Sequence, residues 1–175
     1  MNRGTRLGAL LVLGLITAAC GTLGTTSSPP SSPGSSSSGS AGAAADIHVE
    51  VKGGPLFGTY DQQATSPICT SGLGGEGAFG IQYSVDQPQG ISSLQVLIPL
   101  AVTAGTGTDN FTATLGLGPL VGGTTFQIDP NTEGSTGTAR LDYDGGNSAT
   151  VTIEGETAQG IGVSIRVECH QVIQA

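Results

Sequence analysis

The strongest constraint on this chain is a strict alternation of apolar and polar residues, repeated in short runs between Ile47 and Cys169. Ile47, Val49 and Val51 alternate with His48, Glu50 and Lys52; Ile161, Val163, Ile165, Val167 and Cys169 alternate with Gly162, Ser164, Arg166 and Glu168. Phe79, Ile81, Tyr83 and Val85 repeat the pattern, as do Phe111, Ala113, Leu115 and Leu117, then Leu141 and Tyr143, then Ala149, Val151 and Ile153. Successive strand side chains point to opposite faces, so period two means one buried face and one wet face. No comparable window past residue 20 carries a helical stripe. The pattern, cut by Gly-rich turns, predicts an all-β fold: an antiparallel β-sandwich or partly open barrel of about 7–9 short strands. Residues 96–102 are more continuously apolar, and Pro99 among them requires an edge, a bulge or a strand end.

One register follows from the same rule. Asp144, Gly145, Gly146, Asn147 and Ser148 form a turn signal between two alternating runs. A two-residue loop would set Leu141 against Thr150, a core side chain beside a wet one. A three-residue loop over 145–147 sets Leu141 against Val151 and Tyr143 against Ala149. A one-residue slip turns every side chain to the wrong face, so the longer loop is predicted.

The N-terminus has a different character. Arg3 and Arg6 precede an apolar stretch over 7–16, and Thr17, Ala18 and Ala19 put small residues directly before Cys20. The stretch is shorter than the about 20 apolar residues a membrane span needs and reads as a removable export signal. It resembles bacterial lipoprotein signal peptides with a lipobox, although Thr17 stands where Leu is usual and Ile16 lies one step earlier. The resemblance implies cleavage after residue 19, a diacylglycerol thioether on Cys20 and a further acyl chain, such as palmitate, on its amine. Two or more chains anchor stably where one binds marginally. The expected location is therefore the bacterial cell envelope, on the extracytoplasmic side of the membrane. The alternative is an ordinary secretory signal that happens to contain a cysteine.

Residues 21–45 are Ser, Gly, Thr, Pro and Ala apart from Leu23. Such a tract has almost nothing to bury and reads as a flexible linker with a reach of roughly 25–30 Å. The division is then 1–19 signal, 20–45 lipidated cysteine and linker, and 46–175 a single β domain, long enough to close its own core. All thirteen carboxylates fall in that last segment. Once Arg3 and Arg6 leave, only Lys52, Arg140 and Arg166 oppose them, which takes the net charge from −8 to −10. A field of that sign repels nucleic acid, which is excluded as a primary partner.

With Cys20 lipidated, Cys69 and Cys169 remain as an even pair in an oxidising compartment and are expected to form a disulfide. Cys169 lies in phase with the buried face of its run, and the bridge closes a loop of about 100 residues. The competing reading, a thiol or metal site with His170, fails because adjacent strand residues point to opposite faces.

Other chemical motifs do not hold together. Gly72, Gly74 and Gly77 fit G-x-G-x-x-G, but a strand run follows where a dinucleotide site needs a helix. Asp142, Asp144 and Asn147 suggest a calcium loop, yet Ile153 stands where its bidentate Glu belongs. Asp142/Asp144 and Glu154/Glu156 are same-face carboxylate pairs on neighbouring strands that could gather Ca²⁺ weakly. Ser164 lacks the second Gly of a nucleophile elbow. His48 and His170 sit on outward positions near the ends of the domain, and become neighbours if the terminal strands pair. Asn110 begins a glycosylation sequon that a bacterial chain rarely uses. No catalytic, metal or cofactor-binding residue is assigned, and no cofactor is expected.

The order of lipobox cysteine, Ser/Thr/Gly/Pro tract and Gly/Thr-rich β domain with two cysteines resembles the LpqH-type surface lipoprotein antigens of mycobacteria. The likeness is strongest over 148–158 and 165–169, where a Gly-Glu-Thr-Ala segment precedes a last strand ending in Cys169, and at Cys69 after Ser66, Pro67 and Ile68. A longer middle segment and six residues after Cys169 depart from it. It implies a surface-exposed, non-enzymatic antigen or adhesin-like module. Three readings stand: a lipid-anchored binding or structural module for an unknown envelope or protein partner; a carrier for a lipid or other apolar ligand, suggested by the apolar stretch 94–102; and an envelope hydrolase, supported only by a clustering of His48, His170 and carboxylates.

Overall fold

The computed structural model describes residues 42–72, 77–99 and 105–175. The signal segment, Cys20, the tract up to residue 41, the centre of the Gly72–Gly77 motif and residues 100–104 lie outside the described residues. Two six-stranded sheets are stacked as a β-sandwich, with no helix among the described residues. The strands are β1 (Ala45–Lys52), β2 (Gly58–Ala64), β3 (Cys69–Ser71), β4 (Phe79–Ser84), β5 (Ile91–Ile98), β6 (Gly107–Thr108), β7 (Thr112–Leu117), β8 (Thr124–Ile128), β9 (Thr136–Tyr143), β10 (Ala149–Glu156), β11 (Gly162–Cys169) and β12 (Val172–Gln174). The first sheet runs β2-β1-β11-β10-β9-β6 and the second β12-β3-β4-β5-β7-β8, so each keeps two free edges and neither closes into a barrel.

The alternating runs become strands because only that conformation buries their apolar set on one side. In the first sheet Val49, Ile165, Ile153 and Ala139 form one cross-strand row, and Ile47, Val167, Val151 and Leu141 the next. All eight are buried. They face Phe79, Ile81, Leu94, Val96, Ile98, Leu115, Phe126 and Ile128 of the second sheet in one continuous core. Each Val, Leu, Ile or Phe among them contributes about 1.5–3 kcal/mol when fully buried, and Ala139 less. Phe79 and Tyr143 meet across the sheets with ring centroids 5.5 Å apart, a tilted contact worth about 0.5–1.5 kcal/mol beyond burial.

The hairpin register follows the predicted one: Leu141 pairs with Val151 and Tyr143 with Ala149. Gly145 takes φ 87°, and the Gly146 N–H donates to Asp144 Oδ1 at 2.9 Å, closing an Asx turn. Pro99 comes directly after β5, at a strand end. The strand count differs from expectation: twelve segments among the described residues rather than about 7–9. The additional ones are short or lack an apolar face; β3 and β12 have three residues each and β6 two. One pair, β12 with β3, is parallel. The sandwich also takes in the last residues of the tract. Ala44 and Ala45 are buried, and the Ala44 N–H donates to the Ala64 carbonyl at 2.7 Å.

The parallel pair arises where the chain changes sheets. Cys169 ends β11 in the first sheet; three residues later Val172 opens β12 opposite Cys69 in the second. Cys69 and Cys169 form a disulfide across that corner, closing a loop of 100 residues, with both cysteines buried. The His170 and Gln171 N–H groups both donate to the Ala44 carbonyl, which fixes the crossover backbone.

At the other end of the first sheet Gly137 and Gly155 are cross-strand partners on the core side. They leave room for Ile128 of the opposing sheet. A Cβ on Gly155 would lie 2.4 Å from the Thr136 carbonyl oxygen and 2.8 Å from Ile128 Cγ2. Gly155→Val is therefore expected to destabilise the domain by about 1–3 kcal/mol or more through overpacking, read as a lower denaturant midpoint. Replacing both Cys69 and Cys169 by Ser should cost about 2–5 kcal/mol. Two free sulfhydryls at these positions in the unreduced, denatured chain would contradict the bridge.

Candidate functional site

The solvent face of the first sheet carries the ionisable side chains, and the register arranges them in rows. Asp46, Glu168, Thr150 and Asp142 form one row across β1, β11, β10 and β9. His48, Arg166, Thr152 and Arg140 form the next, with Asp61 of β2 beside His48. Glu50, Ser164, Glu154 and Thr138 form the third. Rows rich in carboxylates thus flank a row that holds Arg140 and Arg166, and neighbouring rows are ion-paired. Arg166 donates from Nε and Nη2 to Glu168 Oε1 at 3.0 and 2.8 Å, and Lys52 Nζ lies 3.5 Å from Glu50.

Pairing of β1 with β11 does place both histidines on this face, but it gives each its own carboxylate. His48 Nδ1 lies 2.6 Å from Asp61 Oδ1, and His170 Nε2 lies 2.8 Å from Asp46 Oδ2. Asp46 and His48 stand two residues apart on the outer face of β1, yet no hydrogen bond joins the two imidazoles among the described residues. The two imidazoles therefore serve separate pairs. Asp46 also accepts from Gln63 Nε2 at 2.8 Å. The hydrogen bond from His170, strengthened by that from Gln63, holds the Asp46 carboxyl below the ordinary aspartate range against the opposing effect of partial burial.

Ser164 is a diagonal neighbour of His48 on the same face, two residue pairs further along β1 and β11. No hydrogen bond joins them among the described residues. The Ser164 backbone lies within a ladder between β1 and β10, so its N–H is committed to the sheet rather than free to receive an oxyanion. The two carboxylate pairs are also parted: Asp142 faces Thr150, whereas Glu154 faces Thr138, four residues further along the hairpin. Among the described residues no three His, Cys, Asp or Glu converge closely enough to hold a metal ion. The Gly72–Gly77 motif joins antiparallel β3 and β4, with the Gly72 N–H donating to the Ala78 carbonyl at 2.7 Å, so no helix N-terminus follows it. Asn110 is exposed, and its N–H donates to Thr108 Oγ1.

Shallow depressions lie on or beside this face, among them one of about 330 Å³ lined by Lys52, Glu154, Glu156 and Ser164 at the end away from the disulfide. Another, of about 320 Å³, sits at the disulfide end and is lined by Asp142, Asp144, Thr150, Glu168 and His170. A third, of about 300 Å³, has Thr152 and Thr150 as its floor between Arg140 and Arg166. A fourth, of about 340 Å³, runs beside β2 between Gln62, Gln63, Ser66, Gln82 and Ser84. The last has no ionisable wall residue except Tyr83, whose phenol is pushed up by burial. Sequence reasoning missed the His48–Asp61 pair because β2 shows no apolar alternation, and missed the arginine row because it emerges only from the pairing order. The chain matches no protein-family model, no curated protein and no solved structure.

The Asp46–His170 contact ties β1 to the crossover and gives the fold an acid-sensitive element. A carboxyl whose folded pKa is depressed stabilises the fold above its unfolded pKa, and the contribution is lost as pH falls through the folded value. Asp46→Asn should thus be less stable than the parent near neutrality. The gap should close below roughly pH 4. Urea midpoints measured from pH 2 to 7 test this; a constant gap would show that Asp46 is not the titrating group.

Proposed function

We propose that this chain is an envelope lipoprotein: exported, cleaved before Cys20, anchored by acyl chains on that cysteine, and presenting the β-sandwich on the extracytoplasmic side as a binding or structural module. The supporting structural observation is the Cys69–Cys169 bridge. Disulfides persist in oxidising compartments, and using both remaining cysteines leaves Cys20 as the odd one, where the lipobox resemblance puts the lipid. The direction of the chain agrees, because the tract enters the sandwich through Ala44 at the corner where the disulfide lies.

The module reading draws on the outer face of the first sheet, where paired charges on a packed scaffold suit recognition of a polar partner. The carrier reading gains little support from the two depressions at the disulfide end and between the arginines, whose walls are largely polar, whereas the one beside β2 mixes Gln and Ser with Ala64, Pro67, Ile68 and Val85; sites for apolar ligands are lined mainly by hydrophobic side chains. Cys20→Ser should shift the protein from the detergent phase to the aqueous phase on Triton X-114 partition and remove the acyl mass from the N-terminal peptide. An unmodified Cys20 in the parent protein would overturn the anchor.

A further inference from the structure

Every Asp, Glu, Lys and Arg that lies in a described strand lies in the first sheet, and the six strands of the second contain none. Of the three cations in the domain, Lys52 pairs with Glu50 and Arg166 with Glu168. Arg140 differs: exposed on the same face, its guanidinium forms no hydrogen bond or ion pair among the described residues. Asp142, two residues along β9 on the same side, is exposed and equally without a partner there. Arg166 and Glu168 stand in the same relation on β11 and do bond, so spacing alone does not part Arg140 from Asp142. The Arg140 guanidinium lies instead against Gly105, where a Cβ would sit 3.3 Å from Nη2. Between Arg140 and Arg166, Asp142 walls the depression of about 300 Å³ whose floor is Thr150 and Thr152.

We propose that this depression binds a dipeptide-sized zwitterion, its carboxylate on Arg140 and its ammonium on Asp142. The inference rests on the reading of the outer face as a recognition surface and names the chemistry that the face takes. A guanidinium offers a planar fork of N–H donors that matches a carboxylate two bonds at a time. A carboxylate accepts only, and so suits the three donors of an ammonium. Positions 140 and 142 stand about 6.8 Å apart along the strand. A free amino acid holds its two charges closer together than that, whereas two extended residues span about 7 Å. Thr150 and Thr152 hydroxyls, able to donate or accept, lie beneath the ligand's peptide group. Charge selects in the same sense. Glu168 already takes up the Arg166 charge, which leaves one positive and one negative group facing the depression. A ligand of no net charge escapes the repulsion that thirteen carboxylates exert on phosphate or a polyanion. The site is open to water, where each charge pair contributes little, so the dissociation constant is on the order of 1 mM.

The test is an NMR titration of the full chain, purified in detergent, with dialanine, N-acetyl-dialanine, dialanine amide and inorganic phosphate as probes. Dialanine should shift the Thr150 and Thr152 amide signals saturably, and capping either of its ends should weaken binding roughly fivefold. Arg140→Gln should weaken dialanine by the same factor and leave dialanine amide unchanged, since that probe has no carboxylate to lose. Asp142→Asn should weaken dialanine and leave N-acetyl-dialanine unchanged. Matching each variant to the end it contacts separates the site from general damage, and retention of the Cys69–Cys169 bridge shows that each variant has folded. No saturable shift with dialanine, equal binding of the capped probes, phosphate binding tighter than dialanine, or indifference to R140Q or D142N would each overturn the site. The titration does not depend on Cys20. Failure to bind dialanine in a chain acylated at Cys20 removes this site and leaves the anchor standing, whereas binding by an unacylated chain does the reverse.

Discussion

The rest of the sandwich depends on the antiparallel pairing of β1 with β11, which joins residues 45–52 to 162–169. This pairing sets β1 between β2 and the β9–β10–β11 meander, so without it the first sheet falls into separate pieces. It also puts Ala45 opposite Cys169, at the corner from which the chain passes into the second sheet. Contacts this distant in sequence are costly to form, because the loop must close before the pairing is rewarded. The disulfide removes part of that entropy from the unfolded chain. The Asp46–His170 bond and the paired donation of His170 and Gln171 to Ala44 hold the same corner from the polar side. Covalent, backbone and side-chain links therefore coincide at the most non-local contact of the fold.

The core was legible in the sequence wherever one face of a strand is buried and the other wet. Val163, Ile165 and Val167 announce β11 because their neighbours are Ser164, Arg166 and Glu168. The β9–β10 register could be chosen because the alternative would have set Leu141, a core side chain, beside Thr150, a wet one. Edge and corner strands were not legible. β2 reads Gly-Thr-Tyr-Asp-Gln-Gln-Ala, with few apolar residues to reveal a period, since an edge strand shields less of the core. The parallel β12–β3 pair leaves no sequence signal at all: three residues are too few for a pattern, and its geometry comes from the crossover that Cys169 fixes. The partners of the two histidines were hidden for the same reason. Each pair spans strands whose adjacency is a property of topology and not of spacing.

The asymmetry between the two faces was equally hidden, though all its residues are plain in the sequence. A count of charges along the chain shows an acidic domain, and only the assignment of strands to sheets shows that the strands of one sheet hold charge and the described strands of the other hold none. The distinction matters for solubility. Net charge far from zero keeps molecules apart, and concentrating it on one face leaves the opposite face without that protection. The uncharged face is protected instead by chemistry: Gln, Thr and Ser keep it hydrated, and its exposed apolar residues are few.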